Sequence, residues 1–269
     1  MKLELQAFIT QVWDHYYSKG RHDLPWRKTQ DPYRILVSEV MLQQTQVVRV
    51  MSKYQAFLRQ FPTTKALATA SLGDVLRAWQ GLGYNRRAKY LQQAAAVVHE
   101  VHHGRWPCSA KELQTLPGIG PYTAGAVAAF AYNHAVPIIE TNIRTAYLHH
   151  FFPTATQVSD TDILALVTDT LDHCNPREWY WALMDYGAYL KQEYGNPNHR
   201  ARAYERQSRF QGSDRQLRGR IIAQLGQSPM TVVALANSAE TDQVRVKCIL
   251  AGLMAEGLVV RIGRRYQLP

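Results

Sequence analysis

Apolar residues recur at intervals of three and four along most of this chain, the period of helices that turn one face inward. Residues 3–17 carry Leu5, Phe8, Ile9, Val12, Trp13 and Tyr16 in that rhythm. After LPWR and DPYR, a longer run sets Ile35, Leu36, Val40, Leu42, Val47, Val50, Met51, Tyr54, Phe57 and Leu58 at helical spacings. TTKALATAS and SLGDVLRAW predict short helices with polar starts, and Ser71 and Asp74 stand three apart as in a capping box. RRAKYLQQAAAVVHEVHHG predicts a helix closed by Gly104. AKELQTL predicts another, and 160–173 and 176–194 two more, the last carrying Trp179, Trp181, Leu183, Met184 and Leu190. No segment before about residue 255 alternates long enough to predict a strand. No repeat of fixed period or low-complexity tract interrupts the pattern.

The pattern changes over 195–214. GNPNHRARAYERQSRFQGSD is polar, basic and poor in aliphatics, and predicts a linker or surface arm. Beyond it RQLRGRIIAQL, TVVALANSA and TDQVRVKCILAGLMAEGL predict three short helices, and LVVRIGRRYQLP a hairpin turning at Gly263. Three helices and a hairpin match the winged helix-turn-helix pattern. The expected organisation is therefore a mainly α domain over 1–194, a basic linker over 195–214 and a winged-helix-like domain over 215–269.

Charge narrows the function. The 269 residues hold 31 Lys or Arg against 21 Asp or Glu, a formal +10. Such a balance favours polyanions, nucleic acid above all. Within 215–269, eight basic against three acidic side chains leave +5. Arg261, Arg264 and Arg265 fall on the expected wing, either as DNA contacts or as the solvated face of a small packing module. Cys108, Cys174 and Cys248 lie far apart and form no C-x-x-C pair, which fits a reduced, cytoplasmic protein. MKLELQAFITQVWDHYY has charges within its first turns and reads as neither signal peptide nor membrane span.

Residues 116–120, LPGIG, fit the turn of a helix-hairpin-helix. Gly118 and Gly120 permit positive φ and close backbone approach, and the helix behind them aims free N–H groups and its positive dipole end at a phosphate. Gly-x-Gly also starts helices for purely local reasons. Five stretches carry more: LPWRKTQDPYRILVSEVMLQQTQVVRV (24–50), GLGYNRRAKYL (81–91), LPGIGPYTAGAVAAFA (116–131), PIIETNIR (137–144) and ALMDYGA (182–188). On these, over roughly residues 20–190, the chain resembles the helix-hairpin-helix DNA glycosylases and, within them, the MutY-type adenine glycosylases. The resemblance implies a two-lobed helical fold and excision of adenine mispaired with 8-oxoguanine or guanine. It places Glu39 at the family's general acid and Glu140 at its essential aspartate, with Asn142 at the asparagine two residues on. Tyr122 stands where lyase-active relatives carry a lysine nucleophile, which implies hydrolysis without strand cleavage. Gln44 and Tyr84, with Gln43 beside them, match residues that enter the DNA stack; such residues could equally be helix surface and core.

The chemistry makes sense of these positions. Splitting an N-glycosidic bond needs one carboxylic acid to protonate the departing base and one carboxylate to stabilise the sugar cation. Glu39 lies among Ile35, Leu36, Val40, Met41 and Leu42, where burial would raise its pKa; the alternative is a Glu on the polar stripe of an ordinary helix. Glu140 lies just before a helix expected near Asn142, where the dipole favours the ionised form; the alternative is a simple capping acid. Asp185 in LMDYG is expected to fix a helix or loop, and the adjacent pairs His102–His103 and His149–His150 to be surface or DNA-facing.

Three departures stand out. The family's Asp-Gly-Asn is here Glu140-Thr141-Asn142, and one extra methylene moves a carboxylate by about 1.5 Å, where about 1 Å can cost 10²-fold. The four-cysteine iron–sulfur motif expected after the LMDYGA helix is missing, so no cofactor and no metal are expected. The tail is not the larger β-containing domain that reads 8-oxoguanine. The expected partner is double-stranded DNA and no membrane, with the protein a monomer in a bacterial-type cytoplasm. The rivals are a glycosylase for uracil, thymine or an oxidised pyrimidine, a non-catalytic DNA binder, and a structural protein.

Overall fold

The structure, a computed structural model, describes residues 2–206 and 209–269. Its helices run α1 (Lys2–Lys19), α2 (Pro32–Leu42), α3 (Val47–Gln60), α4 (Thr64–Ala68), α5 (Leu72–Ala78), α6 (Arg86–Glu100), α7 (Ala110–Leu113), α8 (Pro121–Tyr132), α9 (Thr141–Phe151), α10 (Asp160–Thr170), α11 (Pro176–Tyr194), α12 (Asp214–Leu225), α13 (Val232–Ala239) and α14 (Gln243–Ala255). Two short strands follow, β1 (Val260–Ile262) and β2 (Arg265–Gln267). The mainly α class read from the periodicity holds. Side-chain oxygens cap most helix starts where the sequence puts Ser, Thr or Asp. Ser71 accepts from the Asp74 N–H, but its hydroxyl, not its backbone, meets the Asp74 carboxylate. The reciprocal box forms at Ser159 and Asp162 instead.

The described residues divide into two compact units that cut across chain order. One gathers the chain up to Ile35 with Cys108–Gln114 and Gly120–Arg206; the other gathers Leu36–Pro107, Thr115–Ile119 and the described part of the remainder. The partition differs from the expected 1–194, 195–214 and 215–269, because the chain passes between the units several times and its last helices pack within the second.

In the first unit, α11 packs on α1, α8 and α9. Phe8 sets its ring against Tyr147, Phe151 and Trp179, and Trp13 also meets Trp179. The buried Asp185 carboxylate accepts from the Arg21 backbone N–H (2.8 Å), from Arg21 Nε (2.6 Å) and from both Arg27 Nη atoms (2.7 and 2.8 Å). It fixes the chain after α1 onto α11, as expected for a structural acid. Of the expected linker or surface arm, Pro197, Asn198 and Ala201 are buried, while residues 202–206 are exposed. Asn198 is buried and donates to Thr145 Oγ1 (2.8 Å), and Arg200 donates to the Leu148, Phe152 and Pro153 carbonyls. Gln207 and Ser208, also within that expected arm, lie outside the described residues. His150 is half-buried, bonded through Nε2 to the Tyr186 hydroxyl at 2.8 Å and edge-on to Phe8, so it departs from the expected surface histidine.

In the second unit, α4 and α5 pack on α6, and α3 packs on α5 around the fully buried Trp79. The last three helices are followed by the hairpin, in the order the sequence pattern predicts. β1 pairs antiparallel with β2, turning at Gly263 (φ +59°), and Met230 bridges to Tyr266 as a third strand position. This module is tied to the rest of its unit at several points. Arg77 Nε donates to the Gly226 carbonyl (2.9 Å), Lys89 Nζ to the Glu256 carbonyl (2.6 Å) and the Gly73 N–H to the Pro269 carbonyl (3.0 Å).

Candidate active site

The loop between α7 and α8 shows why one glycine is obligatory there. Gly118 has φ +72°, and a Cβ on it would lie 2.4 Å from Tyr90 Cβ, so conformation and space both exclude a side chain. Gly120 differs from the expectation of a positive φ. It caps α8 at φ −83°, which any residue adopts, and a Cβ would meet nothing within 4 Å. Its bareness leaves the start of α8 open. Pro121 takes the first helical position, where its missing N–H costs nothing, and half-buried Tyr122 follows.

Glu140 is the N-cap of α9. Its Oε1 accepts the N–H groups of Asn142 (2.7 Å) and Ile143 (2.9 Å), and Asn142 Nδ2 lies 3.4 Å from Oε2. The longer side chain is absorbed by curling back onto its own helix. Burial pushes the Glu140 carboxyl above the usual range, opposed by those two N–H donors and by Arg144 and Arg21. The dipole effect expected from sequence is present but burial outweighs it. Behind the cap, Gly187 of α11 lies so close that a Cβ would sit 1.9 Å from the Asn142 carbonyl oxygen. Glu140, Asn142 and Tyr122 belong to the first unit.

Glu39 belongs to the second. It is 6% exposed on a helix buried from Ile35 to Met41, where Ser38 is the other buried polar side chain. It lies on no polar stripe. Leu36 and Val40 on either side of it, and Gln43 one turn on, line a cleft of about 1380 Å³ within this unit. Gln44, Tyr84 and Gly118 line the same cleft, so the structure brings the expected DNA-wedging residues together. Gln44 (φ +54°) and Tyr84 (φ +47°) both hold left-handed backbone, rare for residues with a Cβ. Strain of this kind persists only where neighbours enforce it, and it gathers at functional sites.

The enforcer is Arg87, which the sequence reading did not single out. Its Nη1 donates to the carbonyls of Val40 (2.6 Å) and Gln43 (2.6 Å), and its Nη2 to those of Leu82 (3.0 Å) and Gly83 (3.1 Å). Its guanidinium lies over the rings of Trp79 and Tyr84. One cation thus fastens the Gln44 loop to the Tyr84 loop. Burial pulls its pKa down to about 10, which leaves it charged at neutral pH. In NRRAKYL only the helical phase separates inward Arg87 from exposed Arg86.

Arg261, Arg264 and Arg265 are exposed on the hairpin, where Arg261 Nε donates to the Gly263 carbonyl (2.9 Å) and lies over Tyr266. Cys108, Cys174 and Cys248 are free and exposed, and Cys248 belongs to the other unit from the first two. Three dispersed thiols do not fit a four-thiolate iron–sulfur cluster. Among the described residues no three His, Cys, Asp or Glu side chains gather as metal ligands, and no helix is long and apolar enough to cross a membrane.

Residues 37–166 match the family model of the HhH-GPD superfamily base excision DNA repair proteins. The adenine DNA glycosylase of Mycobacterium tuberculosis is 35% identical over 285 aligned residues, covering 94% of this chain and 91% of that protein. The human adenine DNA glycosylase is 37% identical over 186, covering 64% of this chain and 34% of its own length. Among solved structures, a thermostable thymine-DNA glycosylase superposes with a TM-score of 0.63 at 24% identity, over 70% of this chain and 87% of that one. A non-covalent endonuclease III–DNA complex does so at 0.56 and 17% identity, over 72% and 86%. At those identities the structures speak to the fold alone.

Proposed function

The chain belongs to the adenine DNA glycosylases of the HhH-GPD superfamily, and from that membership we propose that it removes adenine from DNA by hydrolysing the N-glycosidic bond of an extruded nucleotide. The adenine is the one mispaired with 8-oxoguanine or guanine. The observation that carries the reading is 35% identity along almost the whole chain, joined to a buried carboxylate, Glu39, one helical turn from an arginine-lined cleft.

In this reading the turn at Gly118 and the bare start of α8 at Gly120 take a backbone phosphate. Gln44 and Tyr84, held in strained backbone by Arg87, fill the gap that the extruded nucleotide leaves. Glu39, shielded from water, protonates the departing adenine. Glu140, held by two N–H donors, offsets the positive charge that grows on the sugar, and Asn142 orients the attacking water. Tyr122 has no amine, so no Schiff base forms and the backbone stays intact. The exposed wing arginines add non-specific phosphate contacts. The protein acts as a monomer on double-stranded DNA in the cytoplasm. It works without an iron–sulfur cluster, residues 195–206 being held by Asn198 and Arg200 instead.

Incubation with duplexes carrying adenine opposite 8-oxoguanine, adenine opposite guanine, or uracil, followed by alkali, tests this. Strand breaks at adenine that require the alkali step are expected. Breakage at uracil alone, breakage without alkali, or no released base would each overturn it.

A further inference from the structure

The cleft of the second unit carries more positive charge than its own contacts consume. Six arginines and one acid, Glu256, line it. Four of the six are engaged inside the protein. Arg87 holds the loop carbonyls, Arg215 donates to the Tyr84 hydroxyl at 2.6 Å, and Arg218 and Arg86 meet Glu256 at 2.5 and 4.0 Å. Arg49 on α3 and Arg220 on α12 are exposed, and neither guanidinium has a hydrogen bond or ion pair to a described residue. α12 is the first helix of the tail module, and it sets Gln216, Arg220 and Ala223, about one turn apart, along the cleft. Its start is fixed. Ser213 caps it, and Arg245 donates to the Gly212 carbonyl (2.7 Å) and through Nε to Asp214 (3.0 Å).

α14 contrasts with it. A helix-turn-helix module ordinarily lays such a helix in the major groove, where polar side chains read base edges. Here the outward face is mostly apolar. Val244, Cys248, Ala251 and Ala255 recur at helical spacings and are exposed, with Met254 beside them. Arg245 is taken up by Gly212 and Asp214, which leaves Lys247 as the other cation of the helix.

We infer that the tail module meets DNA through α12 rather than α14, and that Arg220 and Arg49 each take a backbone phosphate at this cleft. The inference rests on the proposed reading, in which Gln44 and Tyr84 enter the duplex from the same cleft. Opening a duplex there brings its flanking phosphates past the cleft walls. An exposed guanidinium with no partner in the protein gives up no internal bond when it takes a phosphate, and the exchange releases a counterion from the DNA. Such contacts set register and orientation and carry no sequence information. α12 is thus a second wall that holds the backbone while the loops at Gln44 and Tyr84 act on the stack.

The test measures binding of the full chain, Arg220→Gln, Arg220→Lys, Arg49→Gln and Lys247→Gln over a range of salt concentrations, with a melting curve for each. The probes are a fully paired duplex and one carrying an uncleavable adenosine analogue opposite 8-oxoguanine. Each phosphate contact adds about 0.9 to the slope of log affinity against log salt. Arg220→Gln and Arg49→Gln should each lose about that much slope on both duplexes alike, while melting as the parent does. Arg220→Lys should keep the parental slope, because a phosphate accepts a point charge. Lys247→Gln should keep it too. A parental slope in Arg220→Gln overturns the inference for α12, and one in Arg49→Gln overturns it for α3. A loss in Lys247→Gln as large as in Arg220→Gln overturns the choice of face, since α14 then lies on DNA. A loss confined to one duplex, or shared by Arg220→Lys, overturns the phosphate contact. Adenine release by the parent is followed separately on a cleavable duplex. Its absence beside the expected slopes would sink the glycosylase reading and leave the α12 contact standing.

Discussion

Two acids in the first unit, Asp185 buried and Glu140 half-buried, meet opposite fates. Asp185 is met by two arginines. Burial alone would push its carboxyl up, but hydrogen bonds and charge from Arg27 and Arg21 outweigh that and hold it below the usual range. Glu140 is met mainly by two backbone N–H groups, and burial prevails, so its carboxyl is pushed up. An acid whose charge is fully compensated can fasten helices but has no field left for a substrate. An acid held mainly by backbone N–H groups keeps its charge only against the cost of burial. The contrast separates a carboxylate held ionised by two guanidiniums from one whose ionised form rests on the helix start and whose surroundings favour the proton.

Replacing each acid should break that contrast in different observables. Asp185→Asn strands the buried Arg27, and breaking a buried pair costs about 3–5 kcal/mol. Urea unfolding should show that loss, while adenine release per folded molecule stays near the parent's. Glu140→Gln keeps an oxygen for the two N–H groups and removes the charge. Adenine release should fall by about 10²–10³, the usual cost of losing one electrostatic stabiliser, with the urea midpoint nearly unmoved. If Asp185→Asn proved stable but inactive per folded molecule, the assignment of the two roles would be reversed. Gly187→Ala probes the same cap from behind. The added methyl collides with the Asn142 carbonyl, so a loss of about 1–3 kcal/mol in stability should come with slower adenine release, read by the same two assays.

The smallest effect is on pH dependence. Burial lowers the His150 pKa from 6.5 to about 4. The unfolded chain therefore binds this proton between about pH 6.5 and 4 while the folded chain does not, and stability falls as pH drops through that window. Melting temperatures at pH 7 and pH 5 should differ less in His150→Gln than in the parent. An equal drop in both would remove His150 from the account.

The helices and most of their capped starts were legible because apolar period and Ser/Thr/Asp placement are local properties. The structural part played by Asp185 was legible too, and both readings of Glu140, cap and candidate stabiliser, describe the same carboxylate. Other features depended on distant chain. NRRAKYL does not tell that Arg87 would gather carbonyls from two loops. No local signal marks Gln44 and Tyr84 as left-handed, since neither is a residue that favours that region. GIG promised two unusual backbones and holds one, because the constraint on Gly118 comes from Tyr90. The polar stretch 195–206 reads as a linker or surface arm, and nothing local tells that its Asn198 and Arg200 find oxygens on residues about fifty positions earlier. The tail's basic hairpin drew notice, while nothing in the first of its predicted helices tells that Arg215 reaches Tyr84 some 131 positions away.

The backbone at Gln44 carries a consequence for the protein's history. Glycine would rest easily in that conformation, so a lineage selected only to endure heat would be drawn toward Gln44→Gly. Such a chain would relieve that backbone and surrender the side chain proposed to prop open the helix of its substrate. If Gln44 enters the duplex as proposed, its place there is a trade in which backbone ease yields to repair.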